Sequence, residues 1–370
     1  LVQSPFIEGL EIPGVKACCI YGYSQAYDNN NENALQEYWG RLKEIFVEKP
    51  TYYVPETEIK SEEELIQLLD FLDTIPKTTK FGLDYETNAV QQFHVDYKTT
   101  MIGLSYLHDK NTAPSFWFPL FEKPSDKLVE RMAKFFDDNH RKIWAHNCVF
   151  EILSSWHEFG KHWEFQDTLV LLTVQGKRAS LKDAMRTHLG ATLWESSVTE
   201  FREKTEELYK WLEKCKYQDE VFELAKKKDW KALSELHDKL NSCIEWVSDN
   251  YSEEHLPRVF DAYPYPWASV PPEVLGPYCA KDAGYTLLLS EYMWKPELER
   301  AYDYAIVHPY LAAKFEANGA HWDEEKAKEV ESEIVDKMLT TLYDLIMMLD
   351  TVTPDEKMVA KDIYFKELPY

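Results

Sequence analysis

The chain has 370 residues, with 65 acidic against 41 basic side chains, a formal charge of −24 and 45% hydrophobic content. This is the composition of a folded protein, long enough for two or three domains at roughly 100 to 200 residues each, and it excludes disorder and a small disulfide-stapled fold. The acidic balance also excludes a non-specific nucleic-acid coat, which relies on lysine and arginine to neutralise phosphates.

No apolar run approaches the roughly 20 residues that cross a bilayer, and Leu1 to Pro5 lack the basic and apolar regions of a signal peptide. The expectation is a cytoplasmic chain with no membrane partner. Six cysteines without CxxC spacing read as reduced thiols. A start without Met and an end at Pro369-Tyr370 suggest a piece of a longer polypeptide.

Residues 1–60 read as a leading region with one amphipathic stretch, Leu35 to Val47. Ser61 and Glu64 have capping-box spacing and open a helix with Leu65, Leu68, Leu69 and Leu72 on one face, ended near Pro76. Lys80–Glu86, Thr100–Leu107 and Ser115–Leu120 then read as a three-stranded meander. A helix from Asp126 to Asp137, a strand from Lys142 to His146 and a helix from about Cys148 to Phe159 imply a mixed sheet flanked by helices. Residues 181–250 read as an amphipathic helical hairpin, and Tyr263 to Pro272 return the chain to one more helix ending at Met293. Beyond Pro296 helical patterns continue, with a C-cap at Asn318-Gly319.

Three segments carry chemistry. In Phe81-Gly82-Leu83-Asp84-Tyr85-Glu86-Thr87, strand alternation puts Asp84 and Glu86 on one face, where two carboxylates repel unless a cation lies between them. In Trp144-Ala145-His146-Asn147-Cys148-Val149-Phe150-Glu151, Asn147 sits at a strand-to-helix turn and Glu151 one helical turn on. In Tyr278-Cys279-Ala280-Lys281-Asp282, tyrosine and aspartate share a helix face. Taken singly, each also fits a plainer reading: a solvated strand end, a helix cap followed by an exposed glutamate, and a buried tyrosine beside an incidental aspartate.

Jointly, Asp84, Glu86, Glu151 and Asp282, with Tyr278, resemble the DEDD superfamily of 3′-to-5′ exonucleases in its tyrosine-containing subclass. The resemblance is closest to the proofreading domain of family A DNA polymerases. Phe165-Gln166-Asp167-Thr168 and Ser180-Leu181-Lys182-Asp183 look like that family's helical segment after the second motif, and residues 308–323 look like the start of its polymerase domain. Residues 198–272 look like a helical insertion. The usual second-motif acid is Asp; Glu151 is the variant associated with phage-like members, which would place the protein in a host cytoplasm.

The resemblance implies a ribonuclease H-like α/β fold with a C-terminal all-helical extension. The expected division is a leading region (1–60), an exonuclease domain (61–299) and the beginning of a polymerase domain (300–370), whose remainder would act in cis or in trans. It also implies two divalent ions, Mg²⁺ or Mn²⁺, about 3.5 to 4 Å apart. Asp84 would bridge them, Glu86 and Asp282 would complete the tighter site, Glu151 would hold the looser one, and Tyr278 would orient the attacking water. Asn147, Phe150, Val90 and Thr87 would contact the terminal nucleotides of a single-stranded DNA 3′ end or primer-template. Proofreading without nucleotide incorporation by this polypeptide follows. Two alternatives stay open: an exoribonuclease resembling ribonuclease D, and a catalytically weak scaffold for replication partners.

Overall fold

The computed structural model describes residues 51–319 apart from 89–91, 93–95, 121–123, 178 and 192–193, together with residues 326, 328, 337, 340 and 341. The stretch Leu35 to Val47 and the segment after Gly319 fall almost wholly outside the described residues. The chain divides into two compact units, Leu1–Ala317 and Asn318–Tyr370.

A short strand β1 (Glu56–Glu58) precedes helix α1 (Glu62–Thr74). The Ser61 hydroxyl accepts from the Glu64 N–H, and the Glu64 carboxylate accepts from the Lys60 N–H, so two otherwise orphaned donors are satisfied. All four leucines of the predicted face are buried. Strands β2 (Phe81–Thr87), β3 (Thr99–Tyr106) and β4 (Ser115–Pro119) form the antiparallel meander, followed by α2 (Asp126–Asn139), β5 (Ile143–Ala145), α3 (Val149–Phe159) and β6 (Gln166–Asp167).

The sheet runs β1-β4-β3-β2-β5-β6. β3 is antiparallel to both of its neighbours, while β5 lies parallel to β2 and β6 parallel to β5. A mixed sheet with helices against it is the α/β class expected. The two-residue β6 and three-residue β1 were not foreseen, being too short for an alternating pattern to register.

After β6 come α4 (Thr168–Val174), α5 (Leu181–Ala184) and a π-turn over Met185–Leu189, closed by Gly190 at a φ of +68°. The expected hairpin of residues 181–250 is instead broken into shorter helices. These include α6 (Ser196–Leu212), α7 (Gln218–Lys226), α8 (Trp230–Leu236) and α9 (Asp238–Asn250), with a left-handed residue, Lys228, between α7 and α8. The breaks follow local chemistry: the Asp229 carboxylate caps α8 by accepting from the Ala232 N–H, and His237 turns extended to cap α9. α10 (Leu256–Asp261) and α11 (Pro266–Ser269) lead to the long α12 (Pro272–Met293), and α13 (Glu299–Ala305) and α14 (Val307–Asn318) follow. α14 stops at Asn318, with Gly319 at a φ of +66°, as the C-cap reading requires.

Two hydrophobic clusters organise this unit. One joins α1 and α2 to the sheet through Phe81, Leu83 and Tyr85 and extends to Tyr302, Ile306 and Ala313. The other gathers α6 to α10 around Phe201, Leu208 and Val247 and meets the sheet through Met101 and Trp117 and α12 through Leu275 and Cys279. Helices α6 to α10 therefore have a core that is continuous with the helix carrying Tyr278 and Asp282.

α12 crosses the sheet at glycines. A Cβ on Gly82 would lie 2.1 Å from the Ala283 carbonyl oxygen, and one on Gly103 would lie 2.5 Å from that of Cys279. Both obstacles are backbone and cannot swing aside. Gly103→Val is expected to lower unfolding free energy by about 3 kcal/mol or more by forcing α12 off the sheet; urea denaturation measures it, and a loss below about 1 kcal/mol would contradict the close contact.

Candidate active site

Alternation along β2 sends Phe81, Leu83 and Tyr85 into the core and leaves Gly82, Asp84 and Glu86 on the opposite face, toward α12. In register, Asp84 pairs with Gly103, and the two glycines let α12 settle close beside the carboxylates. One ligand atom each from Asp84, Glu86 and Cys279 lie within 4.8 Å of one another. The Cys279 thiol donates to the Asp84 backbone carbonyl at 3.6 Å, and burial pushes its proton affinity well above the ordinary thiol range. A neutral thiol so engaged leaves the carboxylates as the ionic donors of this group.

Glu151 enters from the first turn of α3 and is buried, at 3% exposure, which discards the plain reading of an exposed helix-face glutamate. Asn147 does not cap α3. The N-cap is Cys148, with no side-chain bond of its own. Asp167, on the neighbouring strand β6, holds the turn before α3 instead: its Oδ1 accepts from the Asn147 N–H at 3.0 Å and its Oδ2 from the Cys148 N–H at 2.9 Å. Oδ1 also accepts from Leu169 N–H at 2.7 Å, capping α4. This clamp holds Asn147 at a φ of +68°, a conformation that asparagine tolerates better than most residues. The Asp167 N–H in turn donates to the Tyr302 hydroxyl at 2.7 Å, so α13 supports the loop that presents Glu151.

Tyr278 and Asp282 lie on α12 as their spacing requires. Both Asp282 oxygens are engaged: Oδ2 accepts from Lys182 Nζ, and Oδ1 accepts from Trp194 Nε1 at 2.7 Å. Lys182 Nζ also donates to the Tyr278 hydroxyl at 2.8 Å and stands 4.5 Å from the centre of that ring.

Like charges crowd this spot. Desolvation, then the charge of Asp282, pushes the Asp84 carboxyl up to about 8. Burial raises Glu86 well above the carboxylate range, with Asp84 and Asp282 adding to it, and burial followed by Asp84 does the same to Glu151. Tyr278 is raised by burial and by Asp282, so it stays a neutral phenol. At Lys182 burial opposes the charge, but Asp282 and the neighbouring acids outweigh it and hold the ammonium above its usual range. Asp84 Oδ2 and Glu151 Oε2 are buried with no hydrogen-bond partner among the described residues. Bare buried carboxylate oxygens of this kind are costly unless a cation or proton meets them, and an all-oxygen donor set suits a hard divalent ion. The residues present therefore fit Mg²⁺ or Mn²⁺.

The other anticipated contacts differ in placement. Phe150 is half-buried beside Glu151, Asn147 is exposed at the turn, and Thr87 is buried at the end of β2, where the register shifts. Val90 lies outside the described residues. Lys182, Trp194 and the clamp at Asp167 were not anticipated as parts of the site. Neither Lys182 nor Asp167 carries a local pattern in the sequence that announces its partner, and Trp194 carries no signal at all.

No protein-family model matches the chain, and no curated protein matches it. Among solved structures, it is similar to the catalytic core of RRP6 from Trypanosoma brucei, in a cysteine-to-serine mutant, at 12% identity and a TM-score of 0.41, over 95% of this chain and 82% of that one. A likeness this distant carries no argument about activity.

Two outcomes are expected. Because the folded Asp84 carboxyl titrates at about 8 and an unfolded one near 4, the native metal-free chain binds more protons between those values and loses stability as pH rises through them. Melting temperatures of metal-free protein should fall from pH 5 to 8, the fall should be smaller in Asp84→Asn, and saturating Mn²⁺ should remove most of it; a slope unaltered by either change would contradict the assignment. Asp167→Ala should lower unfolding free energy by about 2 to 3 kcal/mol by orphaning the Asn147, Cys148 and Leu169 N–H groups, against about 1 kcal/mol for Tyr302→Phe, as read by denaturant unfolding.

Proposed function

We propose that this chain is a metal-dependent 3′-to-5′ exonuclease that hydrolyses the terminal phosphodiester of single-stranded or frayed DNA. In this reading it is the proofreading part of a family A DNA polymerase of phage-like type. The observation that carries the nuclease reading is the pair of buried, partnerless oxygens on Asp84 and Glu151, within a knot of acids drawn from three distant segments. The choice of DNA and of the polymerase context is supported by the resemblance of residues 308–323 to a polymerase junction.

Asp84, Glu86, Glu151 and Asp282 would hold two divalent ions. When bound, such ions activate a water and neutralise charge developing on the leaving 3′-oxygen. The chain supplies the rest. Tyr278, kept neutral and fixed by its bond from Lys182, is suited to orient the attacking water by hydrogen bonding, and its raised proton affinity makes it a poor general base near pH 7. Asn147, exposed at the clamped turn, would donate to a terminal phosphate, and the half-buried Phe150 ring would offer an apolar surface to the last bases.

The test is release of nucleotides from the 3′ ends of matched single-stranded DNA and RNA oligomers, with Mg²⁺ or Mn²⁺ and with EDTA. DNA should be degraded from its 3′ end only with metal, and Asp84→Ala should slow release by about three orders of magnitude or more. Faster degradation of RNA would transfer the assignment to an exoribonuclease. Metal-independent release would refute the metal-dependent reading, and no release from either substrate would leave the scaffold reading in its place.

A further inference from the structure

Asp282 differs from the other acids of the cluster. Both of its oxygens already have donors, the Lys182 ammonium on one and the Trp194 indole N–H on the other, whereas Asp84 Oδ2 and Glu151 Oε2 are bare. Lys182 reaches this position from α5, a four-residue helix remote from β2, α3 and α12 in sequence. Its side chain is 18% exposed and that of Asp282 5% exposed, so the pair is largely shielded from water.

We infer that Lys182 is a built-in counter-cation of the carboxylate cluster, seated on Asp282 in the metal-free chain and displaced from it when a divalent ion takes that carboxylate. The inference rests on the reading of these acids as cation ligands. Four buried or half-buried acids cannot all ionise together without positive charge among them, and one lysine supplies it where no metal is bound. Lysine suits an exchangeable role. Its ammonium is a compact point charge on a flexible stem, whereas an arginine fork would lock onto the carboxylate through two parallel bonds. The head also has somewhere to go: it lies over the Tyr278 ring at 4.5 Å and the Trp194 ring at 5.7 Å, so a small swing off Asp282 keeps it on an aromatic face. Lys182 is thus a positioning residue. In the metal-free state it orders Asp282 and Tyr278, and it sets how tightly a divalent ion is held by competing for one of its ligands.

The experiment is Mn²⁺ binding to the full chain at low ionic strength, read by electron paramagnetic resonance of free Mn²⁺ and by calorimetry, with melting curves in EDTA and in Mn²⁺. Lys182→Met should bind Mn²⁺ roughly tenfold more tightly or better, melt lower than wild type in EDTA, and show a wider gap between its metal-free and metal-loaded melting temperatures. Lys182→Gln serves if the methionine variant does not fold, and Lys182→Arg should not tighten binding. Removing any nearby positive charge favours a cation, so the decisive comparison uses Asp282→Asn: in that background Lys182→Met should gain little or nothing, because the contested carboxylate is gone. Unchanged or weaker Mn²⁺ binding in Lys182→Met, a full gain surviving in the Asp282→Asn background, or no binding by either chain would each overturn the inference. Nucleotide release is scored separately. An inactive wild type whose Mn²⁺ affinity rises in Lys182→Met sinks the nuclease reading alone, and an active wild type whose affinity does not respond sinks the counter-cation alone.

Discussion

Mutual repulsion among carboxylates held together by a glycine-lined contact is the constraint on which the rest of the site depends. Gly82 and Gly103 allow α12 to lie with its backbone against β2 and β3, and this closeness sets Tyr278 and Asp282 beside Asp84 and Glu86. The acids therefore approach one another because packing forces them to. Their repulsion is the electrostatic cost of that contact, and the surroundings answer it: raised proton affinities at Asp84, Glu86 and Glu151, an ammonium on Asp282, and oxygens of Asp84 and Glu151 that, having no hydrogen-bond partner among the described residues, suit a hard cation.

Asp167 accepts four backbone N–H groups, from residues 147, 148, 169 and 170, and so fixes both the turn before α3 and the start of α4. Tyr302 and Tyr310 reach back to the same strand region, accepting from the Asp167 N–H and donating to the Phe165 carbonyl respectively. Helices α13 and α14 thereby contribute to the rigidity of a loop far earlier in the chain. Helices α6 to α10 play a comparable part, since their core runs into Leu275, Cys279 and Ala280 on α12. A site that depends on placing charges within a few ångströms needs such backing, because small displacements change Coulomb energies steeply in a poorly solvated region.

Much of this was legible from the sequence for an identifiable reason: helices and strands of ordinary length repeat their apolar positions. The leucine face of α1, the meander and the stop at Asn318 all follow from local periodicity or capping chemistry, which acts over a few residues. The spacing of Asp84 with Glu86, and of Tyr278 with Asp282, likewise fixed which face each pair shares. Strands of two or three residues carry too few positions for a period, and the helices of residues 196–250 break at single capping residues that a periodic reading passes over.

Tertiary structure decided what the pairs meet. That Glu151 is buried is a fact of packing, and that Asp167 secures the turn before α3 and that Lys182 and Trp194 occupy both oxygens of Asp282 are facts about residues 19 to 100 positions apart. Sequence alone determined the chemical types and their local facing, because backbone geometry ties neighbours to one another. Which charges share a poorly hydrated space was settled only by folding, because that depends on chain crossings that leave no repeating trace along the chain.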